Sequence, residues 1–276
     1  MLHIFPLESF ATNAIVTRTM PPALHARNIQ KRYDSVEALR GVDLSIDVGE
    51  FFGLLGPNGA GKTTFINALV GLVKPDAGEI NVLGYDLRQR PLAAKQCIGL
   101  VPQEVNTHSV MPVEKVLEFQ GGFFGLTHHD AKSRAEKLMH EFGLWEKRKA
   151  WRYHLSGGMQ KRLIICRALM GDPKILILDE PTAGLDVELR HELWAYLEKL
   201  REQDVTIFLT THYIEEAEQL CDRVAIINEG KIIACNTPQQ LIADHGMNDG
   251  EKKNLPRYIR HDSLEAAFVH LTGRTL

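Results

Sequence analysis

Gly56-Pro57-Asn58-Gly59-Ala60-Gly61-Lys62-Thr63, with Thr64 next in line, is the most informative stretch of this chain. It satisfies Gly-x-x-x-x-Gly-Lys-Thr and follows the apolar run Phe51–Leu55. It leads into Thr64-Phe-Ile-Asn-Ala-Leu-Val70, whose apolar residues have helical spacing and stop at Gly71. A strand, a glycine-rich turn and a helix in that order make a phosphate cradle. The glycines let the backbone curl so that successive N–H groups point inward, and the helix N-terminus adds partial positive charge. Lys62 then reaches the terminal phosphates, and Thr63 offers a hydroxyl to Mg²⁺. With glycine at about 7% of residues, chance gives this pattern in roughly one chain of this length in a hundred. A plain glycine-rich turn explains the glycines but not Lys62 and Thr63 together.

Upstream, Leu24–Tyr33, Ala38–Val48 and Glu50–Leu55 are short alternating segments punctuated by Asp34-Ser35 and Val48-Gly49, so they read as strands. Downstream, Glu79–Leu83 and Ile98–Val101 also read as strands, whereas Val113–Phe119, Ala131–Phe142 and Gly158–Met170 have helical periodicity. Two fully apolar runs, Ile175–Leu178 and Val205–Leu209, flank the helical segment Glu188–Arg201. Strand, crossover helix, strand is the recipe for a parallel sheet with both faces covered. The stretch from about Glu104 to His154 carries helices and no such strand, and reads as a helical subdomain.

The run Ile175-Leu-Ile-Leu178 ends in Asp179-Glu180-Pro181. Two carboxylates at the end of a buried strand are costly unless a cation is there. In open parallel sheets ligands sit beyond the carboxyl ends of the strands, which puts Asp179 and Glu180 on the edge that holds the glycine loop. Asp179 is expected to hold Mg²⁺, and Glu180 to orient or deprotonate an attacking water. The next strand ends in Thr210-Thr211-His212 at the same edge, where a neutral imidazole bonds a γ-phosphate and the water. A second glycine-rich helix start, Leu155-Ser156-Gly157-Gly158-Met159, offers an N-cap and exposed N–H groups, another anion site. One nucleotide already has its cradle, so this second site points to a nucleotide held by another copy of the chain.

The composition fits a core-forming chain of one to two domains. Among 276 residues, 44% are hydrophobic and 24% charged, and the net charge of −3 implies no strongly basic partner surface. The four cysteines, Cys97, Cys166, Cys221 and Cys235, are scattered without a Cys-x-x-Cys pair, which suggests neither a disulfide framework nor a zinc module and fits a reducing compartment. No window approaches the 18 to 20 apolar residues of a spanning helix. Residues 1–19 contain Glu8, have no basic residue before Arg18 and offer no convincing cleavage site, so they read as an extension or a misplaced start ahead of Met20 rather than a secretory signal.

The order of these motifs resembles that of the ATP-binding cassette (ABC) ATPases over essentially Ala23 to Leu241. Gly56–Thr63 resembles Walker A, Gln103 the Q-loop glutamine, Leu155–Met159 the signature motif and Lys174–Glu180 Walker B. Ala183-Gly-Leu-Asp186 resembles the D-loop, His212 the switch histidine, and Tyr33 the aromatic that stacks on adenine. The resemblance implies an α/β fold: a P-loop NTPase core with a mainly parallel sheet, a small antiparallel β subdomain and an inserted helical subdomain at about 104–154. It further implies an N-terminal extension at 1–22, a nucleotide-binding domain at 23–240 and a tail at 241–276 with a short amphipathic helix. ATP and Mg²⁺ would be bound, the metal by Thr63, Gln103 and Asp179, with Glu180, His212 and Gln103 serving hydrolysis. The wording of the motifs is most similar to stand-alone ATPase subunits of bacterial drug, lipid or polysaccharide exporters. Those imply a homodimer, a separate transmembrane permease, a peripheral position on the cytoplasmic face of the cell membrane, and no nucleic acid. Met159 stands where many members have Gln, and Val187 where Pro often follows the D-loop Asp; neither removes the serine and glycines that contact phosphate.

The main rival is a soluble ABC ATPase acting on ribosomes or DNA. Such proteins usually carry two cassettes or a long coiled-coil insertion, and this chain has neither. A P-loop kinase or GTPase is disfavoured by Ser156–Gly158 and His212. Among weaker signals, the Lys147-Arg-Lys149 run reads as a solvated face. His128-His129-Asp130 reads as a helix start rather than a metal site. Leu264, Phe268 and Leu271 read as one apolar face packed on the core. Phe119, Phe123 and Phe124 read either as an exposed apolar patch where a permease helix docks or as the helical subdomain's own core.

Overall fold

The computed structural model describes residues 21–103, 111–246 and 263–274. Most of the N-terminal extension, the first residues of the helical insertion and part of the tail lie outside the described residues.

Among the described residues, ten strands form two sheets. β1 (Leu24–Tyr33) and β2 (Val36–Ile46) make a hairpin whose turn is Asp34-Ser35, with Asp34 at a φ of 48°. β4 (Ala77–Val82) and β5 (Tyr85–Asp86) complete a four-stranded antiparallel sheet in the order β2-β1-β4-β5. The second sheet runs β10-β9-β3-β8-β7-β6, built from β3 (Phe51–Leu55), β6 (Ile98–Val101), β7 (Ile175–Asp179), β8 (Thr206–Thr211), β9 (Arg223–Asn228) and β10 (Lys231–Asn236). Its pairings are parallel except for β9 with β10.

The continuous apolar runs have a simple cause. Phe51, Leu55, Leu176, Leu178, Ile207 and Leu209 pack on one face, and Phe52, Leu54, Ile175, Ile177 and Phe208 on the other. With both faces buried, no polar alternation survives. The first face packs against α3 (Val113–Phe123), α4 (His128–Glu141), α5 (Gly157–Leu169), α6 (Val187–Arg201), α7 (Ile214–Leu220) and α9 (Leu264–Thr272). The second packs against α1 (Lys62–Leu69) and the antiparallel sheet. The short α2 (Pro91–Gln96) adds Ala94 to that second cluster.

The helical insertion is closed at its base where the ends meet: Val113 N–H donates to Ala150 O (3.0 Å) and Glu114 N–H to Arg148 O (2.9 Å). Its described part has two α-helices and two 3₁₀ turns, Trp145–Lys147 and Arg152–His154, and no strand. Phe119 and Phe123 are exposed, edge to face at 5.0 Å, whereas Phe124 is half-buried against the core, which removes it from the exposed patch. His128 and Asp130 sit at the start of α4, where Thr127 caps the helix by accepting from Asp130 N–H.

β5, α2, α7, β9, β10 and α8 (Pro238–His245) are elements beyond those read from the sequence pattern. α8 runs across residue 240, where the sequence reading starts the tail. In α9, Leu264 and Phe268 are fully buried and Leu271 packs against them. Phe268→Ala is therefore expected to destabilise the fold by about 3–5 kcal/mol, read as a lowered denaturant midpoint with unchanged slope. A change under 1 kcal/mol would contradict this packing.

Candidate active site

β3 delivers the chain at Leu55 to a loop that only glycine can follow in two places. Gly59 and Gly61 have φ of 79° and 108°, and a Cβ on Gly61 would meet the Ala38 carbonyl oxygen at 2.6 Å. Lys62 opens α1 and is 5% exposed. Its Nζ donates to Gly56 O (2.7 Å) and Pro57 O (3.4 Å) and lies 3.4 Å from Glu180 Oε1. An ammonium aimed along the inside of the loop by two carbonyls is placed to transfer those bonds to phosphate oxygens.

Asp179, the last residue of β7, accepts from Thr63 Oγ1 (3.1 Å) on one side and from Thr210 Oγ1 (2.5 Å) on the other. Parallel pairing of β7 with β8 sets Asp179 opposite Thr210 and makes that contact possible. The chain then turns sharply. Glu180 adopts φ of 47°, a left-handed conformation that costs a non-glycine residue about 1–3 kcal/mol and persists only where its surroundings enforce it. Its N–H is held by Thr210 O (3.0 Å) and Thr210 Oγ1 (3.2 Å). The strained turn delivers the carboxylate into a group of three partners. Lys62 touches Oε1, while Gln103 Nε2 donates to Oε2 at 3.0 Å. His212 Nδ1 lies 3.2 Å from the same Oε2, without the alignment of a hydrogen bond.

A cleft of about 460 Å³ opens onto this group, lined by Pro57, Asn58, Gly59, Gly61, Lys62, Thr63, Thr64, Gln103 and Glu180. Its other wall is Val36, Glu37, Ala38 and Arg40 of β2 with Glu229 and Gly230 from the β9–β10 turn. Tyr33 stands at the hairpin tip, half exposed under Lys31 Nζ (5.3 Å), and is not among the lining residues. Gly56 and Ala60 lie buried beneath the loop, where a Cβ on Gly56 would meet Ile227 O at 2.5 Å.

The second glycine-rich segment faces elsewhere. Ser156 caps α5, its Oγ accepting from Met159 N–H (3.3 Å), and Met159 packs half-buried on the core. Gly158 is buried, and a Cβ there would meet Leu189 Cδ1 at 2.6 Å. Gly157 is exposed, with nothing within 4 Å of a would-be Cβ. Asp186 caps α6 by accepting from Leu189 N–H (2.9 Å). Neither Asp186 nor Ser156–Met159 lines the cleft that holds Lys62 and Glu180.

Three contributors had no motif to announce them. Thr210 is fully buried and braces both acidic residues. Lys161, on α5 and 6% exposed, donates from Nζ to Gln103 O (3.3 Å). Burial pushes its pKa down, against the pull of Asp179, Glu180 and Glu216. Glu216 is completely buried in α7. The available signal was a charge on the apolar face of a short helix, which periodicity alone registers as noise.

A glycine loop, a lysine, a Thr–Asp pair and a braced glutamate at one sheet edge define a P-loop nucleoside triphosphatase. The profile of the ABC transporter family matches residues 39–183, and the chain belongs to that family. It is 43% identical over 223 residues to the linearmycin resistance ATP-binding protein of Bacillus subtilis (strain 168), covering 81% of this chain and 72% of that one. It is 44% identical over 253 residues to the Nod factor export ATP-binding protein I of Burkholderia orbicola (strain AU 1054), covering 91% and 83%. Among solved structures, an ATP-binding subunit of an ABC transporter superposes with a TM-score of 0.78 at 28% identity over 90% of this chain and 99% of that one. A dimeric ATP-binding cassette in a post-hydrolysis state with ADP and Pi superposes at 0.72, 27% identity, 78% and 98%. The chain is an ATP-binding cassette ATPase.

Proposed function

We propose that this ATPase drives export through a separate membrane permease, working as a dimer that ATP closes and hydrolysis reopens. The observation that carries this reading is the convergence of Lys62, Thr63, Asp179, Glu180, Gln103 and His212 at one phosphate loop, in a chain whose relatives include ones named for Nod factor export and linearmycin resistance. In this reading residues 23–240 form the cassette, with 104–154 its helical subdomain and 241–276 its tail.

Gly56–Thr64 cradle the phosphates of ATP, Lys62 balances their charge, and Tyr33 stacks on adenine. The Thr63 hydroxyl and the Asp179 carboxylate meet at 3.1 Å, a pair of hard oxygen donors that suits Mg²⁺, with the Gln103 amide oxygen as a further ligand. Mg²⁺ held there would supply positive charge to offset the charge that develops on the transferring phosphoryl group. Glu180 accepts the proton of the attacking water while Gln103 and His212 hold its carboxylate in place. His212 keeps its other ring nitrogen for the γ-phosphate. Ser156–Met159 and Asp186 serve the nucleotide of the partner subunit: Gly157 is a glycine that neither φ nor packing within the chain requires.

No helix among the described residues is long and apolar enough to cross a membrane. A groove of about 690 Å³ beside α3, lined by Met111, Pro112, Lys115, Phe119, Phe123 and Leu126, receives a permease helix in the helix-in-groove mode. Peripheral attachment to the cytoplasmic face of the membrane follows from that contact. Phe119→Asp with Phe123→Asp is expected to leave the ATPase rate of the isolated protein within about twofold, since neither residue lines the ATP cleft. The same pair of substitutions abolishes co-purification of a multi-helix membrane protein from detergent extract. Recovery of ribosomes or DNA instead, with no membrane partner, would sink the exporter reading.

A further inference from the structure

Glu216 is a carboxylate with no exposure, held in the first turn of α7 by a hydroxyl and an indole donor from two other segments. Trp194 Nε1 of α6 donates to Oε1 at 2.9 Å, and Thr182 Oγ1 donates to Oε2 at 3.2 Å. The Thr211 side chain and the Arg190 guanidinium both favour its charged form. Burial raises its pKa, and these partners oppose the rise. A buried charge is a poor way to gain stability, because a well-packed apolar side chain of similar volume usually serves as well or better. The position of its partners is more informative. Thr182 follows Glu180 by two residues, Thr211 immediately precedes His212, and Trp194 belongs to the helix that Asp186 caps. A second tie runs in parallel: the Arg190 guanidinium of α6 lies over the Tyr213 ring at 4.5 Å, and that ring is 4.2 Å from the His212 ring.

We propose that Glu216 is a positioning residue for hydrolysis, locking the Glu180 turn, the His212 segment and helix α6 into one unit. The inference rests on the roles given above to Glu180 and His212. Contact of ATP with His212 is then transmitted as a rigid displacement to Asp186 and the partner-facing surface. Without the lock, Glu180 and His212 each keep their local contacts but lose their mutual register. Misplacement of reacting groups by about 1 Å can cost roughly a hundredfold in rate.

Steady-state ATPase assays and binding of a fluorescent ATP analogue on the full chain test this. Glu216→Leu is expected to lower kcat by roughly tenfold to a hundredfold with KM and analogue affinity within about twofold, the signature of an interaction that acts on the transition state alone. Glu216→Gln retains both hydrogen-bonding positions and should keep kcat within about threefold, since the amide oxygen accepts from Trp194 and the amide nitrogen donates to the Thr182 hydroxyl. Thr182→Val with Trp194→Phe removes two donors while keeping Thr182 isosteric and an aromatic ring at 194, and should reproduce the Leu result, which keeps the test decisive if Glu216→Leu does not fold. Wild-type kcat in the Leu or double variant, or a loss in Gln as large as in Leu, overturns the inference. Glu180→Gln run alongside separates the two levels. If it turns over normally the underlying reading falls, whereas if it is inactive and the Glu216 and double variants turn over normally, only the lock falls.

Discussion

Glu180→Gln is expected to slow ATP hydrolysis by roughly 10² to 10⁴-fold, the usual loss when a positioned general base is removed. The substitution keeps the size of the side chain, and an amide oxygen at Oε2 still accepts from Gln103 Nε2, so the strained turn at φ of 47° has no new reason to relax. Lys62 loses a carboxylate 3.4 Å away but keeps its bonds to Gly56 and Pro57 carbonyls. Nucleotide affinity should therefore hold or rise, and ATP should accumulate with the dimer closed. Rapid-quench measurement of Pi release together with gel filtration in ATP reads both effects. Hydrolysis at the wild-type rate would remove Glu180 from the role of base.

Ser156→Arg is the second large effect, and it separates a site completed by a partner from one complete in a single chain. Losing the Ser156 cap costs about 0.5–2 kcal/mol, which for a domain of this size lowers Tm by roughly 2–4 °C per kcal/mol. That leaves a folded monomer. Binding of ATP to the monomer is expected to be unchanged, because Ser156 does not line the Lys62 cleft. Dimerisation in the Glu180→Gln background should be abolished. Turnover should fall by about 10² or more, the scale on which removal of a preorganised anion site acts. Gly157→Ala should behave in the same way with no loss of Tm, since its Cβ enters open space. ATP-driven dimers of normal yield, seen by light scattering, would refute the shared site.

The linear sequence by itself determined the phosphate loop, the parallel core strands and the order of the site segments. Their signals are local: a spacing of glycines, Lys62 and Thr63, and apolar runs at Phe51–Leu55 and Ile175–Leu178 that need no partner to be read. It also carried the helical character of the insertion and the buried face of α9. It said little between His212 and α9, where β9 continues the core and the edge strand β10 alternates weakly in a stretch broken by Asn228-Glu229-Gly230.

Only the tertiary structure decided which polar side chains meet. Thr210 braces Asp179 because β7 and β8 pair in parallel in that register, and a slip of one residue would turn it to the opposite face. Lys161 reaches the Gln103 carbonyl because α5 packs on β6. Tyr33 stands at the tip of the β1–β2 hairpin because the strands pair around Asp34-Ser35, which sets it beside β2, the strand that lines the cleft wall. Glu216 gathers Thr182 and Trp194 from 34 and 22 residues away along the chain. Motif spacing records contacts along the chain, whereas burial of a charge depends on what the fold brings across from elsewhere, and no local pattern encodes that.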